Sequence, residues 1–202
     1  MRQVVLALLL WPVLASLAHS DDTAKQADYY PLAVGNKWHY SVELDGEKVT
    51  AIISVAKLEK VGDKTLAHLE TRLGSEVISE EDISTNAQGA FRQRESGQEV
   101  TPPLCLIKYP VKVGDEWETP TKRGKLAVTI TGRVDKLEEI EVAGRKYQTV
   151  KVILKTKLGA QVVSTTNWFA DGVGIVRIRL EQPGNISTFD LEKFEKGAKK
   201  TK

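Results

Sequence analysis

Alternation dominates the chain. Trp38, Tyr40, Val42 and Leu44 are interleaved with His39, Ser41 and Glu43, the period of two that marks a strand with one buried face. Asp45-Gly46 then signals a hairpin, and Val49 to Val55 returns as its partner. The same reading gives strands over 65–73, 76–79, 82–85 and 90–94, and again over 117–119, 126–134, 137–142, 147–157, 161–169, 175–180 and 186–194. Gly62-Asp63, Asn86-Ala87-Gln88-Gly89, Ala143-Gly144, Asp171-Gly172 and Pro183-Gly184 punctuate them. No stretch carries a long apolar stripe at helical spacing, although 190–195 could start a short helix. The fold class predicted is all-β, with the rhythm of an antiparallel sandwich or barrel.

The pattern also repeats. Tyr30-Pro31-Leu32-Ala33-Val34-Gly35-Asn36-Lys37-Trp38 shares a Y-P-x-x-V-G-x-x-W skeleton with Tyr109-Pro110-Val111-Lys112-Val113-Gly114-Asp115-Glu116-Trp117, 79 residues later. At that offset Val55 meets Val134, and Lys57-Leu58-Glu59 meets Lys136-Leu137-Glu138. After two small insertions, Leu73-Gly74, Gly89, Arg92 and Arg94 meet Leu158-Gly159, Gly174, Arg177 and Arg179. Ordered matches of this kind point to two tandem sequence repeats, 29–95 and 109–180, within a single β domain over 29–196. Residues 95–103, polar and containing Pro102-Pro103, read as the connection between them, and 186–194 as a further C-terminal strand.

The beginning of the chain reads differently. Met1-Arg2-Gln3 precedes an apolar run over 4–18, and Ala18-His19-Ser20 supplies small residues at a cleavage position. Residues 1–20 are expected to be a secretory signal peptide cleaved near Ser20, because the core is short for a membrane span. Export to a periplasmic or extracellular location follows, with 21–28 a flexible leader and 197–202 a basic tail.

Composition narrows the partners. Lys and Arg total 29 against 27 acidic residues, and loss of Arg2 with the leader brings the charge still nearer neutrality. That balance argues against nucleic acid as a partner. A single cysteine, Cys105, forbids an intrachain disulfide, and its apolar neighbours make it a buried small hydrophobe.

Candidate chemistry is sparse. His39 and His68 lie on strand faces without metal-ligand spacing, and no nucleophile, phosphate or dinucleotide motif is present, so neither a cofactor nor a catalytic or metal residue is assigned. Glu80-Glu81-Asp82 reads as a solvated strand edge whose charge discourages edge pairing. Asn185-Ile186-Ser187 has the form of a glycosylation sequon. The aromatics Trp38, Tyr40, Trp117, Trp168 and Phe169 form either core or the lining of an apolar pocket.

Two of these stretches carry a resemblance. Tyr29-Tyr30-Pro31-Leu32 with Gly35-Asn36-Lys37-Trp38-His39-Tyr40, followed by Trp168-Phe169-Ala170-Asp171-Gly172-Val173-Gly174-Ile175-Val176, resembles a broad group of uncharacterised bacterial exported proteins. Asp171 stands where that group usually has Pro or Lys. Some of the group look similar to the half-barrel of periplasmic lipoprotein carriers, which implies a curved sheet with an apolar concave face. The functional expectation is an exported, non-catalytic binding module for an apolar or lipid-like ligand. The alternatives are a structural or protein-interaction domain of the cell envelope without a small ligand, and an enzyme built from unfamiliar residues.

Overall fold

The computed structural model describes residues 27–44, 46–158 and 161–198. The expected signal peptide, most of the leader, Asp45, Gly159 and the end of the basic tail lie outside the described residues. Twelve strands follow one another: β1 (Lys37–Leu44), β2 (Glu47–Val61), β3 (Lys64–Leu73), β4 (Glu76–Asn86), β5 (Gly89–Glu95), β6 (Gln98–Lys108), β7 (Glu116–Arg123), β8 (Leu126–Val142), β9 (Arg145–Leu158), β10 (Gln161–Ala170), β11 (Gly174–Gln182) and β12 (Asn185–Glu195). Each pairs antiparallel with its neighbours in sequence, and β1 pairs with β12 from Lys37↔Glu195 to Val42↔Phe189.

That last ladder corrects the expected half-barrel or sandwich. The sheet is a closed barrel, because pairing the first and last strands satisfies backbone groups that an open sheet would leave exposed at its two edges. Residues 98–103 belong to β6 and not to a loose connection, and 190–195 continue β12 and do not form a helix. Two expected strand pairs merge. Residues 76–85 are one strand, and so are 126–142, where a bulge between Val134 and Lys136 disrupts the alternation that reads as a break in sequence.

The interior is filled. Barrels of about eight strands are just packed by their own side chains, and wider ones tend towards a lumen. Here β8 comes close to β12, four strands away round the sheet, so opposite walls approach one another at the core. Tyr40, Ile83, Ile107, Phe169 and Leu191 are among its fully buried side chains. The segment Tyr29–Leu32 packs against the same core. The outer face carries charge instead, including the ion pairs Arg133–Asp135 and Lys146–Glu139.

The two ends of the described chain are fastened together. Asn36, buried, donates from Nδ2 to the Pro31 carbonyl at 2.8 Å and accepts from the Gly197 amide at 2.8 Å. Asp28 donates its amide to Asp171 Oδ1 at 2.7 Å, and its carbonyl accepts from the Gly172 amide at 2.8 Å. Asp28 and Gly197, expected in the leader and the tail, are therefore tied to the barrel.

Candidate functional site

Three of the five aromatics expected to form core or pocket meet in the core. Trp38 donates from Nε1 to the Val173 carbonyl at 2.6 Å and stacks on Phe194, ring centres 5.2 Å apart. Tyr40, two residues on and so on the same face, donates its hydroxyl to the Ile175 carbonyl at 2.7 Å. Burial pushes the Tyr40 phenol well above its ordinary range, so it stays a neutral donor. Phe169 is fully buried and packs against Tyr30 at 6.1 Å. These rings gather at one end of the barrel around the turn between β10 and β11. Trp168 faces the other way, half-buried, donating to Glu138 Oε1 at 2.9 Å with the Lys151 ammonium 5.7 Å from the ring centre.

Trp117 is the exception, because it sits at an opening. Its indole lies over Gly132, directly opposite on β8, where an added Cβ would fall 2.1 Å from the ring. From there Nε1 reaches past its own strand to the Cys105 carbonyl of β6 at 3.1 Å. It must, because the ladder between β6 and β7 consists of Val100↔Arg123 and Thr101↔Lys122 alone. Pro102, Pro103 and Pro120 have no N–H to extend it. Side chains substitute for the missing rungs: Thr121 Oγ1 donates to the Pro102 carbonyl at 2.7 Å, and Lys108 Nζ to the Glu116 carbonyl at 3.4 Å.

The space left between β6, β7 and the loop joining them is a cleft of about 580 Å³. Phe91, Cys105, Tyr109, Pro110 and Trp117 supply its apolar wall, and Lys108 stands over the Trp117 ring, 5.6 Å from its centre. Burial pushes the Cys105 thiol up to about 11, outweighing the pull of Lys108, so it is a neutral wall group and not a nucleophile. A cleft of about 630 Å³ on the outer face of β7, β8 and β9 is more polar, with Glu116, Glu118, Arg133 and Lys155 around it. Sequence reading singles out Trp117 but not this cleft. The signal was available in the four prolines 102, 103, 110 and 120 clustered on two consecutive strands and their connection.

The acidic run of β4 is not an edge, since β4 pairs with β3 and β5 on its two sides. Alternation divides its members. Glu81 takes one face and pairs with Arg92 at 2.7 Å. Glu80 and Asp82 take the other, where Asp82 Oδ1 lies 2.8 Å from His68 Nδ1 and Oδ2 accepts from Arg94 at 3.0 Å. His39, by contrast, lies 3.5 Å from Glu195 on the adjoining strand.

With this geometry in view, the chain can be set beside known proteins. No family model matches it, and no curated protein does. Solved structures give a distant likeness. A candidate lipoprotein from Parabacteroides distasonis is 14% identical, with 83% of this chain and 98% of that one covered and a TM-score of 0.49. A candidate exported protein with a YmcC-like fold from Bacteroides fragilis is 14% identical, covering 84% and 100%, at 0.48. The hypothetical lipoprotein YmcC from Escherichia coli is 10% identical, covering 79% and 84%, at 0.37.

Proposed function

We propose that this protein is an exported, non-catalytic binding module that takes an apolar or lipid-like ligand at the β6–β7 seam. The observation that carries the reading is the opening itself. Eleven of the twelve junctions among the described residues pair six or more positions, and the one that pairs only two borders an aromatic-walled cleft. The protein's own side chains pack the interior, which favours a site in the wall over one on the inner face. The leader over 1–20 supports export.

The same reading takes the barrel as two tandem repeats over 29–95 and 109–180, which hold β1–β5 and β7–β11, with β6 and β12 following each. Gly35 and Gly114, at φ of 85° and 87°, donate their amides to the carbonyls of Val55 and Val134, each at 2.9 Å. Val55 and Val134 in turn donate to the carbonyls of Asn36 and Asp115, at 3.0 and 2.9 Å, and a bulge follows each of the two valines. Between such copies, the β12–β1 junction is zipped and the β6–β7 junction is not. Binding would then reside where the copies have diverged, at the prolines and not in the shared scaffold.

A second reading, an envelope domain that binds another protein, is favoured by one observation. Val77, Ile78, Leu126, Val162 and Ile186 are exposed, and all lie beside hairpin turns at the same end of the barrel.

Thermal melts against fatty acids of increasing length and against phospholipids separate the two. A ligand at 100 times its dissociation constant stabilises by about 2.7 kcal/mol. The seam reading expects such a shift, lost in Phe91→Lys; no shift with any of them leaves the protein-binding reading in its place.

A further inference from the structure

On the outer face of β3 and β4, four side chains form a two-by-two array. His68 and Glu70 are two residues apart on β3; Asp82 and Glu80 stand directly opposite them on β4. Placing two glutamates opposite one another on paired strands is unfavourable unless a cation lies between them. Arg72 answers one oxygen of Glu70 at 2.9 Å, and among the described residues the His68 ring, 3.8 Å from its carboxylate, is what Glu80 is paired with.

The imidazole is held from behind by a carboxylate that is itself fixed. Asp82 is 7% exposed and is itself fixed by Arg94. Asp82 holds the ring at Nδ1, and Nε2 faces Glu80, 3.8 Å from its carboxylate. A carboxylate behind a histidine whose other nitrogen faces further carboxylates is the arrangement that orients metal-bound imidazoles. One donor atom each from His68, Glu70 and Glu80 lies within 4.8 Å of the other two. A tetrahedral zinc site needs roughly 3.3 Å between donors, a contraction that the flexible glutamate side chains can supply. The ladder does not call for this chemistry. Aligned by the repeat, β10 carries Thr165, Thr166 and Asn167 where β4 carries Glu80, Glu81 and Asp82, and it pairs on both sides without them.

We infer that His68, Glu70 and Glu80 form a site for a divalent transition-metal ion, with Asp82 as the positioning residue behind His68. One nitrogen and two carboxylates suit Zn²⁺, and a fourth position stays open to water. The site is separate from the β6–β7 cleft and does not depend on the function proposed for it.

The test uses tag-free protein stripped with chelator, titrated calorimetrically with Zn²⁺ and followed by visible absorption with Co²⁺. One Zn²⁺ per chain is expected, together with the intense ligand-field bands of four-coordinate Co²⁺. Glu80→Gln, a near-isosteric change on a half-exposed side chain, should weaken Zn²⁺ binding at least tenfold. Asp82→Asn should weaken it less and shift the Co²⁺ bands, an effect that a merely structural role would not produce. His39→Ala should change nothing. Absence of stoichiometric Zn²⁺ binding, or equal affinity in the parent and Glu80→Gln, overturns the assignment.

Discussion

The indole nitrogen of Trp38 donates to the backbone carbonyl of Val173 at 2.6 Å, joining the first strand to a turn 135 residues further along the chain. The bond accounts for why a tryptophan, and not another large apolar residue, opens β1. Trp38→Ala should cost on the order of 3–5 kcal/mol, the range for a buried aromatic. Trp38→Phe keeps most of the packing but leaves the carbonyl without its donor, and about 1–3 kcal/mol is expected. Urea titrations of the three proteins check both figures.

Gly132 is the floor beneath Trp117. An alanine there would place Cβ 2.1 Å from the indole, so Gly132→Ala should displace the ring and cost about 1–3 kcal/mol by overpacking. The displaced indole would also release the Cys105 carbonyl. A double mutant with Trp117→Leu should recover part of the loss, and chemical denaturation of the four proteins in the cycle measures it.

Much of the fold could be read from sequence. The alternation at Trp38–Leu44 locates β1 to within a residue, and the hairpin glycines locate most of the turns. What escapes are features made by distance or by irregularity. Closure depends on Trp38 meeting Phe194 across the whole chain, which no local pattern encodes. The bulge at Val134 divides one long strand into two apparent ones, and Pro102-Pro103 disguises β6 as a loop. Likewise His68 and Asp82 are 14 residues apart, and only the β3–β4 register brings them together.

Stability should fall at acid pH through a group that can be named. Burial alone would raise the Glu95 carboxyl, but Arg92 and the 2.7 Å hydrogen bond from Arg123 outweigh it and hold the group below its ordinary 4.5. A carboxylate depressed in the folded state stabilises above its unfolded value, and that contribution disappears as pH drops through the folded one. Melting temperature should therefore decline from about pH 4.5 downwards, and Arg123→Gln should flatten the decline.

The alkaline limb has the opposite origin. Burial raises the Cys105 thiol from 9.0 to about 11 in the folded state. Below pH 9 it is protonated folded or unfolded; above that, the unfolded chain loses the proton first and folding weakens until the folded group also ionises. Cys105→Ala should lose this part of the slope between pH 9 and 11. At pH 8 the native thiol should resist iodoacetamide and react only after denaturation.

Amide hydrogen exchange, measured by mass spectrometry with and without myristate, tests the seam most directly. In the free protein, peptides covering residues 103–108 and 116–121 should exchange faster than those covering the zipped β12–β1 junction, and myristate should slow them selectively. Equal protection at the two junctions, unchanged by myristate or by any phospholipid, would contradict the claim that the open junction is where this barrel binds.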